Sequence, residues 1–164
     1  MKECVIPGSF DPITCGHMNL IERSAKIFDN VTVAVMVNIS KSGVIPYQER
    51  VEIIRKACQK VPNVKVILWK GLLAEYIKEH PECVVIRSVR NCGEFEHEVM
   101  SADINRRLCP EMETLLLPAS SELSEISSSA VREIASFGGN ISGLVPSGVY
   151  KEIQKRLKEA AARI

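Results

Sequence analysis

The chain has 164 residues, 46% of them hydrophobic, and its 21 Lys and Arg nearly balance 20 Asp and Glu, for a net charge of +1. This length suits one domain, and the balanced charge offers neither the basic field that binds nucleic acid nor an acidic tail, so any anion site is local. No apolar run approaches a membrane span, and the opening MKECVIPGSFDP lacks the apolar core and cleavage site of a secretion signal.

Along the chain, apolar runs rich in branched residues alternate with segments of helical period. ECVI leads into GHMNLIERSAKIF, and VTVAVMVN into QERVEIIRKACQK, where Val51, Ile54 and Cys58 recur on one face. VKVILW, LLAEYIKEH, CVVIRS, EFEHEVMSADINRRL, METLLLP and SSSAVREIASF continue the alternation. The closing SGVYKEIQKRLKEAAARI keeps Val149, Ile153, Leu157 and Ala161 on one stripe that packs back on the domain. Strands separated by helices pair in parallel, and runs such as VTVAVMV, apolar throughout, belong to a sheet buried on both faces. The predicted fold is therefore α/β: one doubly wound, five-stranded parallel sheet of Rossmann-like type with a C-terminal helix, a single domain over residues 1–164.

Cys4, Cys15, Cys58, Cys83, Cys92 and Cys109 form no C-x-x-C pair and none stands beside a histidine at zinc-ligand spacing, so no metal site is expected from them. They read as reduced thiols of a cytoplasmic protein.

In such a sheet ligands bind beyond the carboxyl ends of the strands, where strand order reverses, and PGSFDPITCGH occupies the turn after the first strand. Gly8 and Gly16 permit close backbone approach, Asp11 and Pro12 shape a fixed loop, and a helix opening near Gly16 and His17 turns its positive end toward phosphate. A well-capped turn around a half-buried histidine is the plainer alternative; the whole constellation favours function.

GSFDPITCGH resembles the (S/T)-F-D-P…(T/H)-x-G-H signature of the nucleotidyltransferase superfamily, whose members join a nucleoside monophosphate to a phosphate-bearing acceptor and release pyrophosphate. ISSSAVRE, residues 126–133, is similar to the superfamily's second signature, a serine-rich turn that cradles the ATP phosphates. IRSVRN, residues 86–91, and NISKSGVIPYQERVEII, residues 38–54, resemble segments of one branch, the bacterial phosphopantetheine adenylyltransferases. The resemblance runs over nearly the whole chain.

It implies transfer of the adenylyl group of ATP to 4′-phosphopantetheine, with His17, Thr14 and Lys41 as catalytic residues. Such a transfer needs little covalent help from the protein: positioning and hydrogen-bond or cation donation to the charge spreading at the α-phosphorus carry most of it. The resemblance places ATP against Ser9, Phe10, His17, Ser88, Val89, Arg90, Glu98 and the run Leu123, Ser124, Glu125, Ile126, Ser127, Ser128, Ser129. It places phosphopantetheine against Ser9, Lys41, Leu73 and Arg87. Plainer roles stand beside these: a solvated lysine, surface pairs of Arg87 and Arg90 with Glu94 or Glu96, and a simple helix cap at the serines. His80 and His97 read as surface residues. Magnesium is the implied cofactor, held by substrate oxygens and water because no carboxylate cluster is dedicated to it. A homohexamer inhibited by coenzyme A follows from the resemblance alone.

Four positions depart from the pattern: Ser9 for the frequent threonine, Ser88 for the glycine of I-R-G, Leu123 for an aromatic residue and Ile6 for a tyrosine. Two alternatives stay open. A sister nucleotidyltransferase would take nicotinamide mononucleotide or a polyol phosphate with CTP, and a nucleotide-sensing module would bind without turnover.

Overall fold

The computed structural model describes residues 2–38 and 43–162. Five strands, β1 (Glu3–Gly8), β2 (Asn30–Met36), β3 (Val64–Trp69), β4 (Cys83–Val89) and β5 (Thr114–Pro118), alternate with helices α1 (Cys15–Ala25), α2 (Tyr47–Ala57), α3 (Leu73–Glu79) and α4 (Cys92–Leu108). Helices α5 (Ser128–Ser136) and α6 (Tyr150–Ala161) close the chain, preceded by 3-10 turns at Ser121–Leu123 and Ser147–Val149. The strands form one sheet of order β3-β2-β1-β4-β5, parallel throughout. This is the predicted Rossmann-like α/β architecture.

Alternate residues of each strand feed opposite layers, which explains the uninterrupted apolar runs. On β1, Cys4 and Ile6 join a cluster with Ile21 of α1, Ile54 of α2, Val131 of α5 and Ile153 of α6. Val5 faces the other way, with Ala34, Val85 and the α3 residues Ala74, Tyr76 and Ile77. Fully burying each such aliphatic side chain contributes about 1.5–3 kcal/mol, so the central strands are the most firmly held. The stripe foreseen on the last helix is buried at Val149, Ile153 and Leu157, whereas Ala161 is only partly covered.

Helix α4 behaves differently. None of its residues is buried, and Met100, Ile104 and Leu108, one above another at four-residue spacing, are 64%, 59% and 46% exposed. Its start at Cys92 is fixed by Asn91, whose side chain accepts the Glu94 N–H at 3.0 Å.

Candidate active site

β1 lies between β2 and β4, so the chain order reverses at the β1–β4 boundary and the carboxyl ends of these two strands flank the switch point. The residues between Gly8 and α1 form the floor there. A Cβ on Gly8 would stand 2.9 Å from the Phe10 ring, so only glycine lets the strand end lie against Phe10. Phe10 itself is buried at a positive φ of 45° and meets the His17 ring edge-on, centroids 5.0 Å apart. Ion pairing secures the same turn. Asp11 accepts the Val44 and Ile45 N–H groups at 2.8 and 2.9 Å, and the buried Arg50 donates to the Ser9 and Ile45 carbonyls at 3.0 and 2.6 Å while its Nη2 stands 3.4 Å from Asp11.

Thr14 caps α1 in a reciprocal box: its Oγ1 accepts the His17 N–H at 3.3 Å, and its own N–H donates to His17 Nδ1 at 3.0 Å. An imidazole that accepts at Nδ1 and is neutral carries its proton on Nε2. Burial, reinforced by the Arg87 and Arg90 guanidinium groups, lowers the His17 pKa from 6.5 to about 4 and keeps it neutral. The Cys15 N–H is taken by the Leu144 carbonyl at 2.9 Å. Of the amides expected to face phosphate around Gly16 and His17, that of His17 is engaged by Thr14 within the chain, and the His17 side chain offers its Nε2–H as a donor there.

Arg87, on the β4 end, lies in a bidentate pair with Glu98 of α4, Nε to Oε2 at 2.8 Å and Nη2 to Oε1 at 2.6 Å, and its Nη1 donates to the Pro7 carbonyl at 2.7 Å. Arg90 pairs with Glu94 through Nε at 2.8 Å and through Nη2, and its N–H donates to Glu94 at 3.0 Å. The Arg90 hydrogen bonds hold Glu94 below the usual carboxylate range and raise Arg90 in turn.

Two clefts meet here. One, of about 360 Å³, runs from the first turn past Ser88 and Arg90 to Leu123, Ile126 and the serine turn. The other, of about 290 Å³, opens between the strand ends and α3–α4, lined by Leu73, Asn105 and Met112 among others. Pro7, Gly8, Ser9, Arg87 and Glu98 line both and form the wall between them.

Of the residues singled out in the sequence, Phe10, Thr14, His17, Ser88, Arg90, Leu123, Ile126, Ser127 and Ser128 line the larger cleft alone, Leu73 the smaller alone, and Ser9, Arg87 and Glu98 both. Val89, Ser124, Glu125 and Ser129 line neither. Lys41 lies outside the described residues. The serines divide their work: Ser127 caps α5 by accepting the Ala130 N–H at 3.1 Å, Ser128 donates to the Pro12 carbonyl at 2.8 Å, and Ser129 accepts from Arg132 at 3.2 Å. Ser128 thereby ties the second signature to the first, and Arg132 repeats the tie by donating to the Asp11 carbonyl at 2.5 Å.

His97, read as a surface residue, is exposed, and it lies at the larger cleft one turn of α4 beyond Glu94. The surface pairs weighed for the arginines prove to be Arg87–Glu98 and Arg90–Glu94, with Glu96 in neither. Arg50 carried no functional signal beyond its place in QERVEII, although the first turn depends on it.

A sequence profile described as cytidylyltransferase-like matches residues 5–134. The chain is 41% identical over 158 residues to the phosphopantetheine adenylyltransferase of Clostridium botulinum (strain Alaska E43 / Type E3), covering 96% of this chain and 99% of that one. It is 46% identical over 153 residues to the enzyme of the same name from Finegoldia magna, covering 93% and 94%. Its backbone also superposes on the crystal structure of a bifunctional NMN adenylyltransferase/ADP ribose pyrophosphatase from Francisella tularensis, complexed with AMP and a manganese ion, with a TM-score of 0.71 and 13% identity. That match covers 99% of this chain and 52% of the other, and at such identity it speaks for the fold alone.

Proposed function

The chain belongs to the phosphopantetheine adenylyltransferase family, and from that membership we propose that it transfers the adenylyl group of ATP to 4′-phosphopantetheine, yielding dephospho-coenzyme A and pyrophosphate in the penultimate step of coenzyme A biosynthesis. The observation that carries the proposal to the site is the pair of clefts that share the Ser9–Arg87 wall, one chamber for each phosphorylated reactant.

In this scheme a phosphate oxygen of phosphopantetheine attacks the α-phosphorus in line, a P–O bond forms, the bond to the bridging α–β oxygen breaks, and pyrophosphate leaves with that electron pair. The nucleophile is already an anion, so no general base and no covalent enzyme intermediate are needed. His17 donates its Nε2–H to a non-bridging α-phosphate oxygen as charge gathers there, with Thr14 fixing the ring through the cap. Arg87 grips the acceptor phosphate; Ser88, Arg90 and the serine turn hold the nucleotide; Lys41, by family resemblance, reaches both reactants. Val89, Ser124, Glu125 and Ser129 belong to the same nucleotide segments, Glu98 to the wall beside them.

Among the described residues no group of His, Cys, Asp or Glu is arranged to hold a metal ion, and Glu94 and Glu98 are both paired with arginines. Magnesium, the metal this function implies, would be held by ATP phosphate oxygens and water and would neutralise charge on the phosphates. No helix of the described residues is long and apolar enough to cross a membrane. The proposal sets residues 1–164 as one catalytic domain working in the cytoplasm, as a homohexamer inhibited by coenzyme A. Self-association is supported by the uncovered apolar row of α4.

The test is pyrophosphate release by the purified protein with ATP and magnesium, offering phosphopantetheine, nicotinamide mononucleotide and glycerol 3-phosphate separately, with CTP in a parallel set. Release with ATP and phosphopantetheine alone is expected. Release with another acceptor moves the chain to a sister branch, and ATP binding without any release makes it a sensing module.

A further inference from the structure

We infer that Glu98 is a positioning residue for Arg87, acting on the acceptor phosphate through that guanidinium, an inference that rests on the function proposed above. A guanidinium has five N–H donors in one plane. Glu98 takes one from Nε and one from Nη2, and the Pro7 carbonyl takes one from Nη1. One proton is left on each terminal nitrogen, and those two can form the fork that suits a phosphate.

The burial of the pair agrees with this division. The Arg87 side chain is 36% exposed and that of Glu98 16%, so the open side of the ion pair belongs to the cation. The charge is informative as well. A carboxylate in the wall between two polyanionic reactants weakens both by repulsion, so its presence needs a compensating role. Orientation supplies one: α4 brings Glu98, β4 brings Arg87 and β1 brings Pro7, and three elements together fix a long side chain that would otherwise sample many rotamers. Both carboxylate oxygens are already committed to Arg87. Without Glu98, the Pro7 carbonyl would be the remaining hydrogen-bond partner of the guanidinium among the described residues.

The experiment compares Glu98→Ala, Glu98→Gln, Arg87→Ala and the Glu98→Ala/Arg87→Ala double variant, each checked for an unchanged circular dichroism spectrum. Glu98→Ala should raise KM for phosphopantetheine on the order of tenfold, and by a larger factor than KM for ATP, whose cleft Glu98 also lines. Glu98→Gln should recover part of the loss, because its amide oxygen still accepts from Arg87. In the Arg87→Ala background, removing Glu98 should add nothing to the acceptor KM, the signature of action through that partner. Calorimetric titration of phosphopantetheine without ATP should show the same order of effects on affinity. A rise confined to KM for ATP, or additive effects in the double variant, overturns the inference while wild-type turnover leaves the function standing. A wild-type protein that neither turns over nor binds phosphopantetheine overturns both.

Discussion

Thr14 and His17 hold each other through two reciprocal hydrogen bonds, Thr14 N–H to Nδ1 at 3.0 Å and His17 N–H to Oγ1 at 3.3 Å, so the helix cap and the orientation of the imidazole are one structure. His17→Ala removes the Nε2 donor and should lower kcat on the order of a hundredfold or more. The cap loses only one of its two bonds, so stability should fall by about 1 kcal/mol. His17→Gln should regain the stability, since a glutamine at this helix position can also reach back to the cap N–H, but little of the rate. Steady-state pyrophosphate release and urea unfolding measure the two effects separately. A fully active His17→Ala enzyme would contradict the assigned role.

The same pairing sets a pH dependence. Protonation would place the ring's second hydrogen on Nδ1, where the Thr14 N–H already points, and would therefore break the box. The folded pKa of about 4 lies below the unfolded 6.5, so between these values the unfolded chain binds a proton that the folded one refuses. The stability from this group is full above the unfolded value and is lost as pH falls toward the folded one. Above about pH 5 the free enzyme should show no acid limb from His17 in kcat/KM. Removing the neighbouring positive charge by Arg90→Met should raise the His17 midpoint toward its ordinary value. An NMR titration of the imidazole checks both statements, and a midpoint near neutrality in the unmodified protein would defeat them.

The first turn was legible in the sequence because its working residues are consecutive, and a contiguous motif needs no tertiary knowledge to assemble. Strand number, parallel pairing and a sheet buried on both faces followed from the alternation of periods, whereas the order of the strands was not specified by it. The Arg87–Glu98 pair was not legible, since a strand end and the second turn of the next helix meet only through the angle at which α4 crosses the sheet. Sequence proximity favoured Glu94 or Glu96 for both arginines, and Arg90 alone follows it. Which face of α4 turns to the cleft was no more legible, because the helix buries no residue and its apolar row of Met100, Ile104 and Leu108 stays exposed. Arg50 looked like any charged residue of an amphipathic helix, and its burial against backbone carbonyls carries no sequence signal.

Self-association through α4 has a direct test. Met100, Ile104 and Leu108 form an exposed row, with Phe95 at 51% exposure on the same helix and Leu115 at 49% on the outer strand β5. Monomeric proteins rarely leave so continuous an apolar surface in water. Met100→Lys with Ile104→Lys should therefore lower the mass seen by light scattering toward that of a single chain while the circular dichroism spectrum is retained, because neither side chain contributes to the core. An unchanged mass would place the contact elsewhere.

Arg50 and Asp11 offer the sharpest stability prediction. Both are nearly inaccessible, at 3% and 6% exposure, and together they join the turn after β1 to the segment that enters α2. Arg50→Met keeps much of the volume and loses the charge, leaving the Asp11 carboxylate buried without its cation and the Ser9 and Ile45 carbonyls without this donor. Breaking a buried pair from one side costs about 3–5 kcal/mol; Asp11 keeps its two backbone N–H donors, so the lower end applies. Gly43→Ala attacks the same joint sterically, for its Cβ would fall 1.5 Å from Arg50 Nη2 and force the guanidinium aside. Because one group is disturbed in both variants, their urea-unfolding losses should be less than additive when combined. Full additivity would mean that Gly43 acts through something other than Arg50. Since Arg50 also holds the Ser9 carbonyl, each variant should raise KM for the acceptor, which a joint remote from the site would leave unchanged.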